Sequence, residues 1–131
     1  MLLKDKVIVV AGAAGLLGQE IIRSVALHGG CPVIADVAVD AATALCDAVG
    51  SEFPDSRPLV VPLNVTSKAS FEGLIDVVVA NFGRLDGFVN AAYPRNRNYG
   101  RPFFDVTYDD FCENTNLHLG GYFLADRKSV V

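Results

Sequence analysis

A chain of 131 residues has room for one domain, 1–131. At 51% hydrophobic and 20% charged residues, it is composed to fold around a core and not to stay disordered. A net charge of −4 and a pI near 5.0 argue against a nucleic-acid partner, which needs a basic face. The apolar N-terminal run is short and broken by Lys4, Asp5 and Lys6. It reads as neither a leader nor a membrane span, and a cytoplasmic location is expected.

Residues 6–11, "KVIVVA", form a continuous apolar run of the kind found in a strand buried on both faces. From Leu16 to Leu27 apolar residues recur at helical spacing, and His28-Gly29-Gly30 closes that helix. Residues 31–36, "CPVIAD", read as a second strand. Asp40 is placed to cap a helix running to about Val49, with Pro54 beyond its end. Residues 57–65 hold a third strand in which Pro62 demands an edge position or an early stop. Thr66 or Ser67 caps a helix ending at Gly83, and residues 85–92 read as a fourth strand. A polar loop, "YPRNRNYGRPF", follows. Thr107 and Asp110 then form a capping box for a helix expected to run to about Ala125.

Strand and helix alternate throughout. That order predicts an α/β fold: a Rossmann-like, doubly wound parallel sheet of about four strands. The three cysteines, Cys31, Cys46 and Cys112, are far apart and no pair has metal-ligand spacing. Each reads as a small buried hydrophobe, and no metal is expected.

The stretch "AGAAGLLG", residues 11–18, sits between the first strand and the first helix. Its glycines have separate tasks in a dinucleotide turn. Gly12 permits the tight turn, Gly15 clears space for a pyrophosphate, and Gly18 lets the helix approach the strand. The helix N-terminus, with Leu16 and Leu17, offers free N–H groups to the phosphates. Asp36 ends the second strand, where it can accept hydrogen bonds from ribose hydroxyls and repel a 2′-phosphate. NAD is therefore expected in preference to NADP.

In these features the sequence resembles the short-chain dehydrogenase/reductase family, over nearly the whole chain. "NVT", residues 64–66, stands where the family often has Asp-Val-Thr at the adenine, which implies cofactor contacts from Asn64 and Val65. "NAAY", residues 90–93, stands where it has Asn-Asn-Ala-Gly, which implies the same for Asn90, Ala91 and Ala92. Departures are Ala11 for threonine, Leu16 for glycine, Asn64 for aspartate, and Ala91 and Tyr93 in the second motif. The resemblance puts His118 at the place of the family's proton-relay asparagine, and Asn116 lies too far around the helix to substitute. A half-buried histidine with a single hydrogen bond is the alternative reading of His118.

The family's chemistry also needs a serine and a Tyr-x-x-x-Lys pair. No Tyr-x-x-x-Lys occurs in these residues: Tyr93 is followed at that spacing by Arg97, and Tyr122 by Asp126. The tail "ADRKSVV" breaks the helical pattern without resembling the family's next strand. The expectation is a hydride-transfer oxidoreductase by family, with this chain inactive alone. The alternative is a dinucleotide-fold module that only binds or assembles. An open edge on the fourth strand, and an apolar helix face with Phe111, Leu117, Leu119, Tyr122 and Phe123, predict a homo-oligomer. In the loop, Arg95, Arg97 and Arg101 surround Tyr99 and suit an anionic or sugar-type substrate. That segment is similar to oxidoreductases of sugar and flagellin-modification pathways.

Overall fold

The hydrophobic strands decide the layering. In β1 (Val7–Ala11), alternate residues go to opposite faces of the sheet. Val7, Val9 and Ala11 join one core cluster, and Val10 joins the other with Ile8 packed against it. The structure is a computed structural model describing residues 1–129.

The remaining strands are β2 (Cys31–Asp36), β3 (Leu59–Pro62) and β4 (Gly87–Asn90). All pair in parallel, in the order β3-β2-β1-β4. Helices α1 (Leu16–Leu27) and α2 (Val39–Glu52) cover one face through Ile22, Ala26, Ala42, Leu45 and Val49. Helices α3 (Lys68–Phe82) and α4 (Tyr108–Ser129) cover the other through Phe71, Leu74, Val78 and Ala125. Each large apolar side chain so buried contributes roughly 1.5–3 kcal/mol. The expected doubly wound sheet is the observed one.

The chain runs outward from β1 to β3 and then returns to the other side of β1 as β4. That reversal opens a crevice at the carboxyl ends of β1 and β4, where Ala11 pairs with Asn90.

Several local details differ from the sequence reading. Asp40 does not cap α2; the helix starts at Val39, and the N-cap residue is Ala38. The Ala38 N–H is held instead by Asp36 Oδ1 at 2.9 Å, so the acid at the strand end displaces Asp40 from that role. Asp40 lies in the first turn, where its charge complements the helix dipole. The helix continues past Val49 to Glu52, and Pro54 opens a separate 3₁₀ turn, Pro54–Ser56. Pro62 meets both expectations, since β3 is the sheet edge and ends there. Of the two candidate caps for α3 it is Ser67, whose side chain accepts from the Ser70 N–H.

The capping box on α4 is formed: the Asp110 N–H donates to Thr107 Oγ1 at 3.0 Å, and the Thr107 N–H donates back to Asp110 Oδ2 at 3.5 Å. The break expected after Ala125 is absent, because α4 runs to Ser129. Asp, Arg, Lys and Ser carry no steric veto on a helix, and no glycine or proline intervenes. Val130 and Val131 lie outside the described residues. Among the cysteines only Cys31 is buried; Cys46 is half-buried and Cys112 is exposed on α4. Burial and the neighbouring Asp47 push the Cys46 thiol pKa up.

Candidate functional site

The glycine turn forms one wall of a cleft of about 410 Å³ at the carboxyl end of the sheet. Gly12 has φ +70°, and a Cβ there would lie 2.6 Å from the Ala92 nitrogen and 2.7 Å from the Ala91 carbonyl. The turn therefore abuts the chain leaving β4. At Gly18 a Cβ would collide with the Gly12 carbonyl oxygen and lie 2.7 Å from Ala13 Cα. This glycine sets how closely α1 approaches β1, and it is buried.

Gly15 is different. A Cβ there would meet only the Gly12 oxygen, at 3.3 Å, and Gly15 lines the cleft. Apart from that one tight contact, its missing side chain keeps the cleft wall clear at this point. The first α1 hydrogen bond runs from the Gln19 N–H to the Gly15 oxygen at 3.0 Å, so the preceding N–H groups of the first turn are free of intrahelical partners. Leu16 and Leu17 are 90% and 77% exposed and do not line the cleft, so only their backbone can serve it.

Asp36 lines the cleft beside this turn. Its Oδ2 accepts from the Ala14 N–H and its Oδ1 from the Ala38 N–H, both at 2.9 Å. Those bonds aim the carboxylate and tie the glycine turn to the start of α2. A carboxylate oxygen has a second lone pair, so each remains able to accept from a ligand hydroxyl.

Asn64 and Val65 also line the cleft. Asn64 Oδ1 accepts from the Thr66 N–H at 3.0 Å and from Thr66 Oγ1 at 2.7 Å. Both bonds engage Oδ1, so the amide offers Nδ2 as its donor. The backbone of Val65 is crowded by α4, where a Cβ on Gly121 would lie 3.1 Å from the Val65 oxygen.

Ala91 and Ala92 line the cleft, while Asn90 does not. Asn90 Oδ1 accepts from the Ala92 N–H at 3.1 Å, which shapes the turn carrying both alanines. Its Nδ2 is buried without a partner among the described residues.

Sequence reasoning missed Tyr93 and Pro94, which complete this wall, together with Ala14, Val37, Ala38, Ala41 and Leu63. The available signal was an aromatic residue at a position where the resembled motif has glycine. Tyr93 stacks on His118 with ring centroids 4.1 Å apart, and its hydroxyl shares a 2.8 Å hydrogen bond with that of Tyr99. That bond and partial burial raise the Tyr93 pKa, so the phenol stays neutral. His118 has no hydrogen bond at Nε2, which is buried. His118 is half-buried and does not line the cleft; it meets the cleft wall through its stack on Tyr93.

Arg95, Arg97, Tyr99 and Arg101 lie outside the cleft lining. Arg101 is taken up by the protein itself: Nη1 is 3.6 Å from Asp110 Oδ2, and Nη2 donates to Asn98 Oδ1 at 2.9 Å. Those two contacts brace the loop against α4. A larger cavity of about 740 Å³ lies at the opposite end of the sheet, between Met1, Gly29 and Phe53–Ser56. Its glycine, Gly29, follows the C-terminal end of α1 and opens no helix, and no strand residue lines it.

A parallel sheet with a glycine turn and a strand-end acid at its switch point defines a dinucleotide-fold protein. The sequence profile of a family described as enoyl-(acyl carrier protein) reductase matches residues 12–129. The chain belongs to the short-chain dehydrogenase/reductase family of oxidoreductases. It is 33% identical over 130 residues to post-translational flagellin modification protein A of Campylobacter coli, covering 98% of this chain and 50% of that protein. It is 31% identical to trans-4-hydroxycyclohexanecarboxylate dehydrogenase of Sinomonas cyclohexanicum, covering 96% of this chain and 49% of the relative. Among solved structures, sorbitol-6-phosphate 2-dehydrogenase from Erwinia amylovora superposes with a TM-score of 0.81 at 29% identity, over 92% of this chain and 46% of that one. Levodione reductase superposes with a TM-score of 0.85 at 26% identity, over 98% and 49%. The chain spans about half the length of the curated relatives it matches. No helix among the described residues is long and apolar enough to cross a membrane.

Proposed function

We propose that this chain is the cofactor-binding half of an NAD-dependent short-chain oxidoreductase acting on an alcohol or ketone. The observation that carries the reading is the pairing of Asp36 with Gly15. A carboxylate aimed by two backbone N–H groups stands beside a cleft-lining glycine whose Cβ would meet a single atom, the Gly12 oxygen at 3.3 Å. The residues fit a dinucleotide. Gly15 and the free first-turn amides suit the pyrophosphate, and Asp36 suits the ribose hydroxyls. Val65 and the donor Nδ2 of Asn64 suit the ring nitrogens of adenine. When bound, a nicotinamide cofactor supplies the hydride acceptor or donor for the reaction.

NAD is preferred over NADP in this reading. The Asp36 charge faces the place a 2′-phosphate would take, and Asp36 has no cation partner that would cancel it among the described residues. The chain holds no Tyr-x-x-x-Lys pair to move the hydroxyl proton, so it is expected to bind cofactor without turning over substrate. Titration of NADH, followed by its fluorescence, tests both parts. Saturable binding that weakens about tenfold or more in Asp36→Ala, with NADPH weaker than NADH, is the expected result. Cofactor-dependent turnover of a secondary alcohol by this chain alone would overturn the second part.

A second reading, assembly, has its own observation. β4 is a sheet edge, and on α4 Phe111, Leu119, Tyr122 and Phe123 are exposed, with Leu117 half-buried. An open edge beside apolar side chains favours self-association into a homo-oligomer. Sedimentation at high concentration should show a dimer or larger; a monodisperse monomer would contradict it.

A further inference from the structure

We propose that the loop between β4 and α4 is a preformed oxyanion subsite at the mouth of the cleft. Arg95 supplies its charge, and Tyr93 and Tyr99 supply its frame. It selects a small hydroxy or keto compound that carries a phosphate or carboxylate. The hydroxy or keto group rests on the oxidoreductase reading above; the anion site does not.

The three loop arginines do not share one fate. Arg101 is held by Asp110 and Asn98. Arg95 lies with its guanidinium 5.7 Å from the Tyr99 ring centre, and neither it nor Arg97 has a carboxylate within ion-pair distance among the described residues. A guanidinium stacked on a ring keeps its fork of donors free at the edge, the geometry that grips an oxyanion with two parallel hydrogen bonds. Arg95 follows directly on Tyr93 and Pro94, which line the cleft.

The loop is also cross-braced by its side chains. The Asn96 N–H donates to Asn114 Oδ1 at 2.9 Å, and Asn114 Nδ2 donates back to Asn96 Oδ1 at 3.1 Å. Asp110 Oδ1 accepts from Asn96 Nδ2 at 3.0 Å and from Asn98 Nδ2 at 2.9 Å. Glu113 Oε2 approaches Asn96 Nδ2 at 3.4 Å, so that acid is directed at the asparagine. The same network that spends Asp110 and Arg101 leaves Arg95 unspent. Ordering a loop at folding removes its entropy cost from the binding step. Tyr93 is locked between the His118 ring and the Tyr99 hydroxyl, and His118 Nε2 is a buried polar atom with no partner in the same cluster.

The test uses three compounds on one skeleton: glycerol 3-phosphate, D-glycerate and glycerol. The ¹⁵N-labelled chain is titrated with each while amide signals are followed, and NADH binding is measured on the same preparation. Saturable shifts at residues 95–99 with at least one of the two anions, none with glycerol, and a tenfold or greater weakening in Arg95→Gln are expected. Anion shifts confined to residues 12–18, or binding undiminished in Arg95→Gln, would overturn the subsite. NADH binding without anion binding likewise overturns the subsite and leaves the cofactor reading intact. Anion binding at the loop without NADH binding does the reverse.

Discussion

The glycine turn and the loop after β4 meet where Gly12 abuts Ala91 and Ala92, and they are built in opposite ways. The turn is made of backbone: three glycines, free amides and one carboxylate that holds it in place. The loop is made of side chains: Asn96, Asn98, Arg101, Asp110 and Asn114 bonded into one network. A backbone site demands particular residues at particular spacings and tolerates few others. A side-chain network can be written in many sequences, and it leaves free whichever members it does not consume. The first construction suits a cofactor shared across a family, and the second suits a substrate that differs between members.

The largest expected effect divides the glycines themselves. Gly18→Ala places a methyl group 2.7 Å from Ala13 Cα. It should cost about 3 kcal/mol or prevent folding, read as a fall in the urea midpoint. Gly15→Ala meets only one oxygen at 3.3 Å. It should change stability by less than about 1 kcal/mol and yet weaken NADH about tenfold or more. Equal effects in the two variants would erase the division between packing and ligand space.

Asn114→Ala should come next. It removes the reciprocal pair with Asn96, costing about 1–2 kcal/mol, and amide exchange should accelerate in residues 95–99 but not in residues 12–18. If both regions loosened together, the two walls would not be independent.

Acid gives a graded comparison. Asp86 is held down to a pKa of about 2 by its hydrogen bond from Arg84, the Val7 N–H at 2.8 Å and Lys6. Asp110 is held down to about 2 by Asn98, Thr107 and Asn96. A depressed carboxylate stabilises the fold above its ordinary pKa, and that contribution is lost as pH falls from about 4 towards 2. Asp86→Asn should therefore cost about 1 kcal/mol at neutral pH after solvent screening, and should flatten the pH dependence of stability in that window. In the same window the protection of amides in residues 95–99, taken relative to their intrinsic exchange rate at each pH, should fall, and Asp110→Asn should show that loss of protection already at neutral pH.

Much of the fold was legible because local signals agreed. α1 and β2 have the bounds read from the sequence, Leu16–Leu27 and Cys31–Asp36, since glycines flank the first and a β-branched run makes the second. The capping box of Thr107 and Asp110 was readable because its two bonds are local. The start of α2 was not, because the N–H of its N-cap residue, Ala38, is satisfied by Asp36, a residue read only as a ligand group. The loop network was illegible for a similar reason: Asn96 and Asn114 are 18 positions apart, and nothing in either segment announces the pairing. Tyr93 was passed over because its role comes from His118 and Tyr99, which only the fold brings beside it.

The central claim is that the cleft between these two walls holds the dinucleotide. Mapping amide shifts on addition of NAD⁺ tests it most directly. The account predicts saturable shifts at residues 12–18, 36–38, 63–65 and 90–93. Shifts centred instead on Gly29 and residues 53–56, around the larger cavity at the far end of the sheet, or no shifts at millimolar NAD⁺, would contradict it.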